Sequence, residues 1–321
     1  MRGFLFVQGM VESGGRPHGA RMSLRARIFA LLLALMAGPT LAAVAPSERA
    51  RADGAQLRAR YEQVRPRLER SPYGRPLALD SREMNRSLEG DAYAIVGEPF
   101  AKVDAALASV ADWCEVLMLP FNTKHCTTHS GRDGAKLTLF VGRKNDTPLE
   151  SAYRLDFDYT VAAHTPDYFQ IVLTCGTGPL GTRDYRIVLE LTPIEGNRTF
   201  MHLSYAYGYG TMSKVAMQAY LATLGASKVG FTPAGDGDYV HGVRGVMERN
   251  TMRYYLALDA YLASFDAPAG MRVTKRLNDW YSGTERYARQ LQEKDLSRAE
   301  YVAMKQKEFA RVAAARLASG G

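Results

Sequence analysis

Between Tyr153 and Val161 apolar and polar residues alternate without a break, with Tyr153, Leu155, Phe157, Tyr159 and Val161 in one set and Arg154, Asp156, Asp158 and Thr160 in the other. A period of two sends each set to one face of a β-strand, here one dry and one wet. Phe169, Ile171 and Leu173 repeat the pattern after the turn at Thr165-Pro166-Asp167, and Tyr185, Ile187, Leu189 and Leu191 repeat it again. Beyond the hairpin signal of Pro193 and Glu195-Gly196-Asn197, the residues Met201, Leu203, Tyr205, Tyr207 and Tyr209 close the series. The stretch from Ala135 to Tyr209 therefore predicts a meander of about six strands.

A one-sided antiparallel sheet needs a cover for its dry face. Val243, Met247, Asn250, Tyr254, Leu258, Tyr261 and Phe265 recur every three or four residues and predict a long helix with one face suited to that role. Asn250 is the polar exception; a buried amide must be paired, so it either bonds a neighbouring side chain or addresses a ligand. Upstream, Leu88–Val96 reads as a strand and Phe100–Trp113 as helix. The order predicts an α+β fold in which a curved antiparallel sheet wraps around a long C-terminal helix, with further helices added at both ends. Such a sheet leaves a space beneath the helix that side chains need not fill, and a hydrophobic-ligand cavity is its natural use. The two periodicities select its walls. They are Tyr153, Leu155, Phe157, Tyr159, Phe169, Ile171, Leu203 and Tyr205 from the strands, with Met247, Asn250 and Tyr254 from the helix.

The flanks are more polar. Ser47–Glu69 is Arg-rich, with Leu57, Tyr61, Val64 and Leu68 at helical spacing, and predicts a surface helix that Pro66 kinks or shortens. The segment Ser71–Pro76 is a turn-rich linker, after which Leu77 and Leu79 begin a strand. Met212–Leu224 predicts extra helical turns, and Thr232–Gly242 a Gly-rich loop of the kind that serves as a lid. Beyond Pro268 comes a charged helical tail, in which Ser297 and Glu300 have capping-box spacing and Tyr301, Met304, Phe309 and Val312 form a thin apolar stripe. That stripe packs on the parent domain or, on the sharper reading, binds a partner. The expected divisions are 1–43, 44–84 as a helical and linker extension, 85–266 as the main domain, and 267–321 as the tail.

The first of these divisions changes the reading of charge. Arg25–Ala43 has arginines at 25 and 27, an apolar run Ile28–Met36, Gly38-Pro39 and small residues at Ala42 and Ala43, the three-part pattern of a cleaved secretory signal. Met1–Arg21 has no such logic, so Met22 is the expected start, and a periplasmic or secreted location follows. Cleavage removes five of the 41 basic and one of the 33 acidic residues, leaving a net charge of +4 in place of +8. Nucleic-acid binding, which needs a concentrated basic face with stacking aromatics, loses its main argument. Export also bears on the cysteines, because disulfides persist in oxidising compartments. Cys114 ends a helix and Cys126 starts the next strand, so a bridge between them is expected, with two buried free thiols as the alternative; Cys175 is left over.

The order of elements resembles the START-like (SRPBCC) helix-grip superfamily of lipid-transfer domains and polyketide cyclases. The resemblance is carried by Gly90–Val96 as first strand, Pro99–Leu107 as helix, Ser109–Leu119 with Trp113-Cys114, and the closing helix from Val243. It covers roughly residues 85–266 and implies a hydrophobic ligand held between sheet and helix, for transport or for chemistry. Met212–Gly242 and the tail after Pro268 depart from the usual core.

Chemistry-bearing patterns are sparse. His125 and His129 sit across a strand start, His164, His202 and His241 are scattered, and no Gly-x-Ser-x-Gly elbow, phosphate loop or dinucleotide fingerprint occurs. No catalytic set, metal or cofactor is expected. The leading expectation is an exported carrier or sensor of a lipid or other hydrophobic small molecule, with transient contact to a membrane or envelope protein. The alternatives are a cyclase- or hydratase-like enzyme with Tyr205, Tyr207 or His202 as acids inside the cavity, and an envelope structural protein using its C-terminal helices.

Overall fold

The computed structural model describes residues 46–132, 134–143, 148–211, 228–235, 237–291 and 296–319. The expected secretory signal and the helical turns expected at Met212–Leu224 lie outside the described residues.

The alternating segments form one antiparallel sheet of eight strands. In chain order these are β1 (Leu77–Met84), β2 (Ser87–Val96), β3 (Thr123–Gly131), β4 (Gly134–Val141), β5 (Tyr153–Thr165), β6 (Tyr168–Thr177), β7 (Thr182–Ile194) and β8 (Arg198–Tyr209). Their order across the sheet is β1-β2-β8-β7-β6-β5-β4-β3, so β2 crosses over to pair with β8, placing Ala92 opposite Leu203 and Gly90 opposite Tyr205. The region from Ala135 to Tyr209 holds β4 to β8, five strands where about six were expected. Leu77 and Leu79 do begin an edge strand, and β3 starts at Thr123, ahead of Cys126.

Two helices, α2 (Phe100–Leu107) and α3 (Val110–Leu117), replace the single stretch expected over 100–113. The break lies at Ser109, whose hydroxyl accepts from the Asp112 amide at 3.2 Å while the Asp112 carboxylate accepts from the Ser109 amide at 3.2 Å. This reciprocal capping box satisfies two orphan amides and starts a new helix. Helix α1 (Pro46–Glu69) runs on through Pro66 to its last turn. Its Leu57, Tyr61, Val64 and Leu68 cover Ala78, Tyr93, Tyr168 and Phe200 on the convex side of the sheet.

On the concave side lies α4 (Gly242–Ala263), the expected closing helix. It crosses β1 and β2 at Gly90, where a Cβ would run into Thr251 and Met247 of the helix. Its buried positions are not the single stripe read from the sequence: Gly245, Met252, Tyr255 and Leu256 are buried, while Val243, Asn250, Tyr254 and Phe265 are half-buried. The reason is a second cover. Helix α5 (Ala269–Arg286) packs on the back of α4, with Trp280 Nε1 donating to the Arg253 carbonyl at 3.2 Å. Glu248 of α4 is fully buried and accepts hydrogen bonds from the amides of Phe231 (2.6 Å) and Thr232 (2.9 Å) and the hydroxyls of Thr232 and Ser81 (both 2.7 Å). A buried carboxylate is tolerable with such a set of donors, and here it ties the chain at 231–232 to β1.

After the short α6 (Ala288–Leu291), α7 (Arg298–Ser319) opens on the expected capping box, with the Ser297 amide donating to Glu300 at 2.8 Å. It packs on α5 and β3, where Tyr301 donates its hydroxyl to the Leu119 carbonyl at 2.7 Å. Cys114 and Cys126 are joined in a disulfide that ties α3 to β3, and Cys175 is free and buried. Closing a loop of 12 residues restricts the unfolded chain by an amount worth about 2–3 kcal/mol. Cys114→Ser is expected to lose that much stability in chemical denaturation under oxidising conditions, and none relative to wild type once both are reduced.

Candidate functional site

Strand parity gathers aromatic residues at one end of the concave face. Tyr185 of β7 and Tyr205 and Tyr207 of β8 point inward there, alongside Phe157 of β5 and Tyr254 of α4. Tyr205 is the hub: its ring lies 5.0 Å from Tyr254 edge-on, 5.7 Å from Tyr207 and 6.5 Å from Tyr185. Tyr185 stacks on Tyr207 at 5.4 Å and meets Phe157 at 6.4 Å. Edge-on and offset rings are the arrangement that the aromatic quadrupole favours.

The hydroxyls give this wall a few polar points. Tyr205 and Tyr254 hydrogen-bond each other, and Tyr185 donates to Thr182 Oγ1 at 2.7 Å. The Tyr207 hydroxyl makes no hydrogen bond within the described residues. Burial pushes all four phenols above their ordinary range, Tyr254 to about 12. They stay protonated at any working pH and serve as neutral hydrogen-bonding groups. A general acid works best with a pKa near the operating pH, and burial has moved Tyr205 and Tyr207 the other way.

The residues expected to line a cavity divide into groups. Phe157, Tyr205 and Tyr254 meet in the aromatic wall. Leu155 and Tyr159 lie on the same face, but Tyr159 donates its hydroxyl to the Ala108 carbonyl at 2.7 Å, which places it under the α2–α3 junction. Phe169 and Ile171 are fully buried opposite Leu191 and Leu189, Leu203 is buried opposite Ala92, and Met247 sits over Gly90. Asn250 is half-buried, with its carbonyl oxygen 3.5 Å from Arg253 Nη1, a bond to a neighbouring side chain. Tyr153 is a correction: it is 51 % exposed where β5 begins, opposite Val141, beyond the helices that cover the sheet. Tyr185 belongs to the wall and was absent from the expected lining, although the Tyr185–Leu191 alternation carries its parity.

His202 is a second correction. It lies on the convex face, one residue out of phase with Leu203, so it cannot act inside the concave space. Its imidazole is held between Asp91 Oδ1 and Glu190 Oε2, both at 2.8 Å, and stacks on Tyr93 at 4.6 Å. Burial alone would lower its pKa, but the bonds and charges of Asp91 and Glu190 outweigh that and push it up to about 9. A base whose folded-state pKa is raised stabilises the fold fully below its unfolded value and loses that contribution as pH climbs through the folded one. For His202 this is on the order of 3 kcal/mol, present below about pH 6.5 and lost through about pH 9. The stability gap between wild type and His202→Gln is expected to shrink over that window in thermal melts. A gap independent of pH would show that the imidazolium is not what holds these strands.

The crossover of β2, the pairing order and the helix laid across the concave face make this an α+β helix-grip fold, a curved antiparallel sheet closed by a long helix. The chain matches no protein-family model and no curated protein. Among solved structures it is similar to human StAR-related lipid transfer protein 5, at 10 % identity over 67 % of this chain and 98 % of that one, with a TM-score of 0.34. It is also similar to the Zhui aromatase/cyclase from Streptomyces sp. R1128, at 13 % identity over 63 % and 95 % of the two chains with a TM-score of 0.30. A START superfamily protein from Mycobacterium smegmatis matches at 14 % identity over 42 % and 90 %, with a TM-score of 0.29. At such identities and scores the likeness does not bear on ligand or reaction.

Proposed function

We propose that this protein is an exported carrier or sensor that holds a lipid-like or other hydrophobic molecule between the sheet and α4. The observation that carries the reading is the aromatic wall. Tyr185 and Tyr254 keep solvent-accessible surface although both rings stand inside the grip. An apolar lining with a few fixed neutral polar groups suits a ligand that is mostly hydrocarbon and carries one or two polar atoms, and the Tyr207 hydroxyl is placed to meet one of them. The paired histidine on the convex face and the raised phenols offer no acid or base tuned for turnover, which favours binding over catalysis.

Export rests on the sequence pattern at Arg25–Ala43, and the Cys114–Cys126 bridge suits an oxidising compartment. No helix among the described residues is long and apolar enough to cross a membrane; the contact proposed with a membrane or envelope protein is a transient one. N-terminal sequencing of protein from the envelope fraction is expected to begin near Val44, and a chain starting at Met22 would overturn export. Native mass spectrometry of the periplasmic protein, purified without detergent, tests the ligand. A co-purifying hydrophobic molecule is expected. Protein that is empty and takes up nothing from a lipid extract would overturn the carrier reading.

A further inference from the structure

The two ends of the sheet differ in what their turns carry. At the end away from the aromatic wall the turns hold Arg132, Pro166, Asp167, Glu195 and Asn197, the polar and turn-forming residues that water-facing turns ordinarily use. At the wall end the tips are apolar. Met84 between β1 and β2 is 51 % exposed, Leu180 between β6 and β7 is 54 % exposed, and Tyr153 stands out where β5 begins. The register brings the turns together, since Ser87 and Arg183 both face Gly208, between the inward-facing Tyr207 and Tyr209.

Two of these turns also hold backbone that their residue types disfavour. Leu180 has φ +57° with glycines on either side at 178 and 181, and Arg86 has φ +68° at the hairpin position where Asn is usually followed by Gly. Both side chains are exposed, so neither gains burial in return, and strain kept on such terms points to function. The Leu180 turn is seated on the wall itself. Tyr185 donates to Thr182 Oγ1 at 2.7 Å, and a Cβ on Gly178 would run into the Tyr185 ring.

We propose that this end of the sheet docks on a phospholipid bilayer, with Met84 and Leu180 inserted among the acyl chains and Tyr153 at the headgroup level. The proposal rests on the carrier reading for its purpose, because a bilayer is where a hydrophobic ligand is collected or released. The spacing argues for lipid. The tips stand on separate turns spread from β1 to β5 with charged residues between them; a protein partner draws its energy from a clustered, packed centre, whereas a bilayer surface admits isolated apolar prongs, with tyrosine favoured at its interface. The charges cancel. Among the described residues of these turns and the start of β5, Arg86, Arg143, Arg154 and Arg183 stand against Glu83, Glu150, Asp156 and Asp184. Insertion, and not attraction to anionic lipid, is therefore the driving force.

Pelleting of the mature protein with sucrose-loaded vesicles, of phosphatidylcholine or of an equal mixture with phosphatidylglycerol, is the test. Both vesicles are expected to bind it to the same extent, with little loss in high salt. Met84→Ser combined with Leu180→Gly should lower the partition coefficient by about tenfold or more. Glycine adopts the φ of Leu180 without strain, so the double variant is expected to melt with the wild type. Leu317→Ser removes a still more exposed apolar side chain from α7 and should bind as the wild type does. Wild-type protein that stays in solution with both vesicles, a double variant that binds undiminished, or an equal loss in Leu317→Ser would overturn docking by this end. Binding that needs phosphatidylglycerol and disappears in salt would overturn insertion. Native mass spectrometry of the same samples reads the carrier function separately: a protein that retains a ligand and ignores vesicles overturns the docking alone, and one that binds vesicles but never holds a ligand overturns the carrier reading alone.

Discussion

Glu308→Gln is expected to lower stability by about 3–5 kcal/mol at neutral pH, the usual cost of breaking a buried ion pair from one side. Lys124, Lys305 and Glu308 have at most 1 % of their surface exposed. One carboxylate serves two ammonium groups, with Lys124 Nζ at 3.2 Å and Lys305 Nζ at 2.5 Å. Backbone carbonyls share the load: Lys124 donates to Phe121 at 2.7 Å and Lys305 to Thr123 at 2.6 Å. These contacts hold α7 on the turn that precedes β3, so the variant should release the C-terminal helix before the rest of the fold.

The effect should depend on pH in a defined direction. Burial, opposed by Glu308 and reinforced by Lys124, lowers the Lys305 pKa to about 8. A base with a lowered folded-state pKa penalises the fold while it is charged, and the penalty is relieved as pH rises from that value towards the unfolded one. Without Glu308 the ammonium is held less tightly still, so the cost of Glu308→Gln should be largest near neutrality and shrink above about pH 9. Chemical denaturation at both pH values, with Lys305→Met as the control that removes the charge along with its need for a partner, measures this. A cost below about 1 kcal/mol, the range of exposed ion pairs, would mean that water reaches the cluster.

That cluster was invisible in the sequence for a physical reason. Tyr301, Lys305, Glu308 and Val312 share one face of α7, but charged residues read as solvent-facing, so the stripe was drawn through Met304 and Phe309, which are half-buried. The strands were far more legible, because alternation with period two is unaffected by what covers the sheet. It fails where the pleat fails: the bulge between Val161 and Ala163 leaves Val161 40 % exposed and sends Ala163 to the convex side, into the cluster under α1. Parity also cannot tell where the cover ends, which is why Tyr153 was drawn into the wall. The closing helix was legible in position but not in face, since a helix covered by both a sheet and α5 has no single apolar stripe to read.

Phe157 decides whether the aromatic wall bounds a ligand or an ordinary core. It is buried on the concave face, 6.4 Å from Tyr185, and belongs to β5, while α4 leans over β1, β2 and β8. Phe157→Arg is expected to abolish uptake of a hydrophobic ligand, because a guanidinium in an apolar space has nothing to solvate it. A packed core would suffer from that change too, so Phe157→Ala carries the discrimination. In a close-packed core the void costs about 3–5 kcal/mol. Beside a space already occupied by an exchangeable ligand the truncation enlarges what is there, so the loss should be clearly smaller and the bound molecule should shift to larger members of its class. Thermal stability of the ligand-free protein and mass spectrometry of what co-purifies are the two readouts. Loss of the full core value in Phe157→Ala, with nothing bound to the wild type, would show that sheet and helix enclose only their own side chains.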